Sequence, residues 1–112
     1  MTPEDLVQRQ LEAYNARDLA RFLENYSEDI EIFRPPADIP AFSGKAALAE
    51  YYATERFNRV GLHATILGRM VLGNKVIDHE RIHGVREMPF EVAAVYEVVD
   101  GVIRRAWFHA AD

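Results

Sequence analysis

The chain has 112 residues, 49% of them hydrophobic and 28% charged, with a formal net charge of -5. That length suits one domain around a single core, and the acidic balance argues against a nucleic-acid or anionic-membrane surface. No cysteine is present, which removes disulfides, thiol catalysis and Cys-ligated metal. No apolar run approaches the ~20 residues of a membrane span, and the acidic, amphipathic start MTPEDLVQRQ is not a signal peptide. The expectation is one cytoplasmic domain over residues 1–112.

Thr2-Pro3-Glu4-Asp5 reads as a helix start, with Thr2 as cap, Pro3 at the first helical position and acids in the first turn. Val7, Leu11 and Tyr14 then recur at helical spacing as one buried stripe. Asn15 to Asp18 breaks this helix, and Asp18 caps a short second one whose apolar face is Leu19, Phe22, Leu23 and Tyr26. Ile30, Ile32 and Phe33 predict a first strand, ended by Pro35-Pro36, which lack backbone donors. Residues 35–42 form a Pro-rich loop, after which Ser43 caps a third helix with Ala47, Leu48, Tyr51 and Tyr52 on its inner side.

After residue 60 the period becomes strand-like, predicting strands over 62–72, 75–84, 90–99 and 102–109. Gly73-Asn74 joins the first two, and Asp100-Gly101 between apolar pairs is a strong tight-hairpin signal. The order α-α-β-α-β-β-β-β predicts an α+β fold, a curved antiparallel sheet wrapped around three helices. Such a cone leaves a cavity at its mouth, a usual place for a small-molecule site.

Within the second of these strands, VIDHERIHG (76–84) crowds five ionisable residues into nine. Successive side chains of a strand face opposite ways, so either Asp78 and Glu80 look inward with Val76 and Ile82, or His79, Arg81 and His83 do. Unpaired charges are costly to bury, so the choice decides the chemistry available.

Three stretches, VQRQLEAYNARDLARFLENYSEDIEIF, SGKAALAEYY and VYEVVDGVIRRAWF, resemble the NTF2-like superfamily, in particular its SnoaL-like and ketosteroid-isomerase-like members. The resemblance covers essentially the whole chain. It implies a cone-shaped fold, a pocket for a small, largely apolar molecule with a polar group, no cofactor, and a homodimer paired through the outer sheet face. It also implies a cofactor-free isomerase, hydrolase or cyclase working by acid-base catalysis, or alternatively a non-catalytic ligand-binding or dimerisation module with a filled pocket. Steroid isomerases use a tyrosine, an aspartate base and a protonated aspartic acid. The matching places here hold Gln10, Arg34 and Ala94, so that mechanism is excluded. A set analogous to the superfamily's epoxide hydrolases, Asp78 or Glu80 with Arg34 or Arg105, has no matched motif.

The same resemblance turns Phe90, Val92, Ala94 and Tyr96 inward, along with Ile103, Arg105, Trp107 and His109. On VIDHERIHG it turns Val76, Asp78, Glu80 and Ile82 inward and leaves Ile77 outside, where a dimer interface would cover it. The implied catalytic centre is His109 with Asp78 or Glu80, since a carboxylate beside an imidazole fixes its tautomer and raises its basicity. Tyr14 and Arg34 would orient the ligand, with Tyr51, Tyr96, Arg105 and Trp107 around it. The competing reading is a buried ion-pair cluster of Asp78 and Glu80 with Arg105 and Arg34, doing no chemistry. His63 reads as a solvated edge residue. His79 and His83 lie about 13 Å apart along a strand, too far to share a metal, and Ser27 and Ser43 read as turn or cap residues.

Overall fold

The computed structural model describes residues 1–111. Helix α1 (Pro3–Asn15) starts with a reciprocal cap in which Asp5 N–H donates to the Thr2 hydroxyl and Thr2 N–H to the Asp5 carboxylate. Asp18 caps the short α2 (Leu19–Leu23). Strand β1 (Tyr26–Phe33) takes in Tyr26, expected at the end of α2. A two-residue strand, β2 (Phe42–Ser43), precedes α3 (Lys45–Glu55). Ser43 therefore lies in a strand and Gly44, with φ 93°, is the N-cap of α3 without a side-chain bond. Four strands follow: β3 (His63–Leu72), β4 (Lys75–His83), β5 (Phe90–Val99) and β6 (Val102–Ala110). Asp100 and Gly101 both have positive φ, as a two-residue hairpin requires.

The six strands form one unclosed, curved sheet in the order β2-β1-β6-β5-β4-β3. All neighbours are antiparallel except β1 and β6. The core lies between the concave face and the helices. Val7, Leu11, Phe22 and Leu48 meet Ile30, Ile32, Val76, Ala94 and Ile103 there. The α1 end is fastened to β3 by the Asn15 side chain, which donates to Ala64 O at 3.1 Å and accepts from Ala64 N at 2.8 Å.

Two one-residue bulges set which side chains enter the cone. In β3 the register breaks between Ile66 and Gly68, so Arg69 rather than Gly68 stands opposite Asp78. In β6, Val98 pairs with Ile103 while Glu97 pairs with Arg105, leaving Arg104 as the extra residue. An extra residue reverses the alternation beyond it.

Gly84, at the end of β4, has φ +86°, and a Cβ there would overlap the backbone of Gly61 and Leu62. Gly84→Ala is expected to destabilise the protein by more than about 2 kcal/mol, read from the urea midpoint. A change below about 0.5 kcal/mol would mean that the 61–62 segment moves aside freely.

Candidate functional site

Strand β4 alternates cleanly: Val76, Asp78, Glu80 and Ile82 are buried, whereas His79 and Arg81 are exposed. Asp78 is 0% exposed and Glu80 5%. Two buried carboxylates two residues apart repel, and the protein resolves this differently for each.

Asp78 is neutralised. Arg69, aimed inward by the β3 bulge, donates through Nε to Oδ1 at 2.7 Å and through Nη2 to Oδ2 at 3.0 Å. Its Nη1 donates to Gln8 Oε1 at 2.9 Å, tying α1 to the pair. Glu80 has no ion-pair partner among the described residues. Burial first, and the Asp78 charge second, push its pKa up to about 8, against the opposing pull of a Tyr96 hydrogen bond and Arg69. At pH 7 it is mainly a carboxylic acid.

Behind Glu80 runs a buried chain of donors. The Tyr26 hydroxyl donates to Gln10 Oε1 at 2.9 Å, Gln10 Nε2 to the Tyr96 hydroxyl at 3.5 Å, and the Tyr96 hydroxyl to Glu80 Oε2 at 3.4 Å. The last two are long, so they orient more than they bind. In front of Glu80 lies a cavity of about 100 Å³, whose wall includes Arg34, Tyr51, Arg56, Phe90 and Phe108. A smaller void of about 30 Å³ lies between Glu80, Gln10, Tyr14 and Tyr96. Glu80 thus stands between the larger cavity and a smaller void of mixed lining.

Three of the expected inward residues are elsewhere. His109 is exposed, pairs with Ala93 and flanks the same outer hollow as His79. Arg105 donates to Glu31 at 3.1 Å and lies 3.7 Å from Glu97 on the outer face. Trp107 stacks on Phe33, with ring centres 5.4 Å apart. The bulge at Arg104 is the cause: Ala106 and Phe108 take the inward places beyond it. A His109–Asp78 or His109–Glu80 pair is therefore not formed, nor is a cluster of both acids with Arg105 and Arg34.

Of the other expected residues, Arg34 and Tyr51 line the cavity. Tyr96 stands behind Glu80 as its donor. Tyr14 is buried among Phe22, Tyr52 and Phe57. Burial pushes its hydroxyl pKa up to about 12, so it is a core residue beside the smaller void. Residues 10, 56 and 69 were not expected in the site. Arg56 follows Tyr52 at i+4, a spacing that shares a helix face. Gly68 inside a strand is a bulge cue and could have pointed to Arg69. The outer-face imidazole of His79 lies 2.6 Å from Glu91, which also pairs with Arg81 at 3.3 Å.

Residues 7–106 match the sequence profile of the SnoaL-like domain. The fold is shared with an NTF2-like protein of unknown function from Cytophaga hutchinsonii, at 14% identity, covering 98% of this chain and 90% of that one, with a TM-score of 0.84. A candidate ketosteroid isomerase from Kribbella flavida is 16% identical over 98% of this chain and 78% of its own, at 0.83. A candidate polyketide cyclase from Sinorhizobium meliloti is 19% identical over 93% of each chain, at 0.80. No curated protein matches the sequence.

Removing Arg69 while keeping Asp78 would strand a buried carboxylate. Arg69→Met should lose about 3–5 kcal/mol by urea denaturation, and adding Asp78→Val should restore most of it. A single-variant loss under about 1 kcal/mol would show that the pair is solvated rather than buried.

Proposed function

The chain belongs to the SnoaL-like domain family, and from that footing we propose that it binds a small, largely apolar molecule with a polar group in the cavity before Glu80 and transforms it by cofactor-free acid-base chemistry. Glu80 is the proton-carrying group. The observation that carries this reading is a buried carboxyl with no ion-pair partner among the described residues, on the wall of a cavity, with a pKa of about 8. A group that titrates near neutrality has both its acid and its base form available, the condition for efficient proton transfer.

One such group suffices for an isomerisation. The carboxylate takes a proton from a carbon next to a carbonyl, the double bond shifts, and the resulting carboxylic acid returns the proton to another carbon. Hydrolysis or cyclisation would use the same proton in protonating a leaving or receiving oxygen. Arg34 and Tyr51 at the mouth orient the ligand, and Phe90 and Phe108 supply apolar wall. Among its structural neighbours, the candidate isomerase and cyclase support this range of reactions. Steroid isomerisation by the usual residues is not part of the proposal, because Gln10, Arg34 and Ala94 stand in their places.

A second reading is favoured by how full the cone is. Rings of Tyr14, Phe22, Tyr52 and Phe57 lie 4.7–6.2 Å apart, which supports a binding module that performs no turnover. We also propose a homodimer through the outer sheet face. Ile77, Val95, Trp107 and Phe33 are laterally paired across β4, β5, β6 and β1, giving one apolar stripe beside the charged row Lys75, Glu97, Arg105 and Glu31.

The Glu80 pKa is raised, so the folded chain keeps a proton that the unfolded chain releases. Stability is then lost as pH rises from about 4.5 to about 8. Glu80→Gln should remove that loss. Its melting temperature should exceed that of the wild type at pH 8, by the equivalent of a few kcal/mol, and the gap should close near pH 4.5. The same variant should lose at least about 100-fold of any turnover found in a screen of enones, epoxides and lactones. Parallel melting profiles would refute the raised pKa; full turnover in the variant would remove Glu80 as the proton carrier, and absence of turnover in the wild type would leave the binding module. For the dimer, Val95→Lys should convert the species seen in sedimentation velocity to monomer, and an unchanged coefficient would place the interface elsewhere.

A further inference from the structure

We infer that the ligand of this cavity is a small carboxylate, its anionic end held by Arg34 and Arg56 around the Tyr51 ring and its uncharged end against Glu80. This rests on the cavity before Glu80 being the ligand site and adds the class of molecule it takes.

The Arg34 guanidinium carbon lies 5.2 Å from the Tyr51 ring centre and 5.7 Å from that of Phe42, and Arg56 lies 5.4 Å from the same Tyr51 ring. The Phe42 and Tyr51 rings are themselves stacked 5.1 Å apart. Two cations therefore share one aromatic surface at the wall of one cavity. Arg34 is exposed and Arg56 half-buried, so water screens their repulsion, and a bound anion would offset it further. Acids outnumber bases 18 to 13 in this chain, yet neither guanidinium has a carboxylate partner among the described residues. Arg56 donates to the Glu55 carbonyl at 3.2 Å and to the Tyr14 hydroxyl, and its positive charge is felt at the buried hydroxyls of Tyr14 and Tyr52. A guanidinium near a ring face keeps its N–H edge available for the two oxygens of a carboxylate.

The rest of the cavity sets the size and character of the molecule. Its volume of about 100 Å³ is below the ~150 Å³ that holds benzene, so the uncharged part has about four or five heavy atoms. Ile82, Phe90, Val92 and Phe108 make that part apolar. Glu80, mainly protonated at pH 7, does not repel the anion and can donate a hydrogen bond to a carbonyl or hydroxyl at the far end. The implied substrate is a short keto, hydroxy or unsaturated acid.

The test is an amide-resolved NMR titration of the full chain at low salt with crotonate, its neutral isostere crotonamide, and inorganic phosphate. Crotonate should shift the Phe90 and Phe108 amides and bind at least about tenfold tighter than crotonamide or phosphate. Arg34→Gln and Arg56→Gln should each weaken crotonate about tenfold and leave crotonamide unchanged, with the rest of the spectrum reporting an intact fold. Equal binding of acid and amide at those amides would overturn the carboxylate assignment while leaving the cavity as the ligand site. Equal or tighter phosphate binding would overturn it in favour of a phosphorylated ligand. No shift at Phe90 or Phe108 with any probe would remove the cavity reading and this inference together.

Discussion

A single guanidinium must serve two carboxylates buried on one strand, and much of the site follows from how it is shared. Arg69 bonds Asp78 with two nitrogens and Gln8 with the third. No hydrogen bond from it reaches Glu80, which feels only its more distant charge and lowers its electrostatic cost by holding a proton. The pair also fixes the strand register. A slip of one residue would turn Asp78 outward and bury His79 and Arg81 against the mostly apolar inner faces of the helices. Breaking such a pair costs more than making it gains, so it discriminates against wrong arrangements more than it adds to net stability.

Most of the fold was legible because its signals are local. The Thr2 cap, the Asp18 cap and the Asp100-Gly101 turn act within a few residues, and the four long strands fall within a residue or two of where alternation put them. The inward set on β4 was legible too, since Val76 and Ile82 bracket the acids. The candidate site was less so, and the reason is countable. Alternation propagates an error: one unseen extra residue at Arg104 misdirected Arg105, Trp107 and His109 together. The adjacent like charges Arg104 and Arg105 carry no glycine to mark a bulge, whereas Gly68 does mark the one that aims Arg69. The β2–α3 junction failed for another reason, because Ser43 has the chemistry of a cap but Gly44 has the backbone freedom the turn needs.

The two faces of the sheet use charge in opposite ways. On the convex face, ion pairs such as His79–Glu91, Arg81–Glu91 and Arg105–Glu31 are exposed and contribute little individually. Within the cone the few charges are sorted by depth: Arg69 with Asp78 behind α1, Glu80 alone at the centre, Arg34 and Arg56 at the rim. Aromatic rings occupy the intervening space, so the cavity is small because the core is well filled.

The donor chain behind Glu80 biases which of its oxygens holds the proton. The Tyr26 hydroxyl gives its one hydrogen to Gln10 Oε1, which turns the Gln10 amide nitrogen toward Tyr96, and Tyr96 in turn gives its hydrogen to Oε2 of Glu80. An oxygen that receives this bond is the poorer place for the acidic hydrogen, so that hydrogen belongs on Oε1. The far end of the relay, a tyrosine on β1, thereby gives the acid a handedness: one oxygen faces the relay and the other is left for the acidic hydrogen.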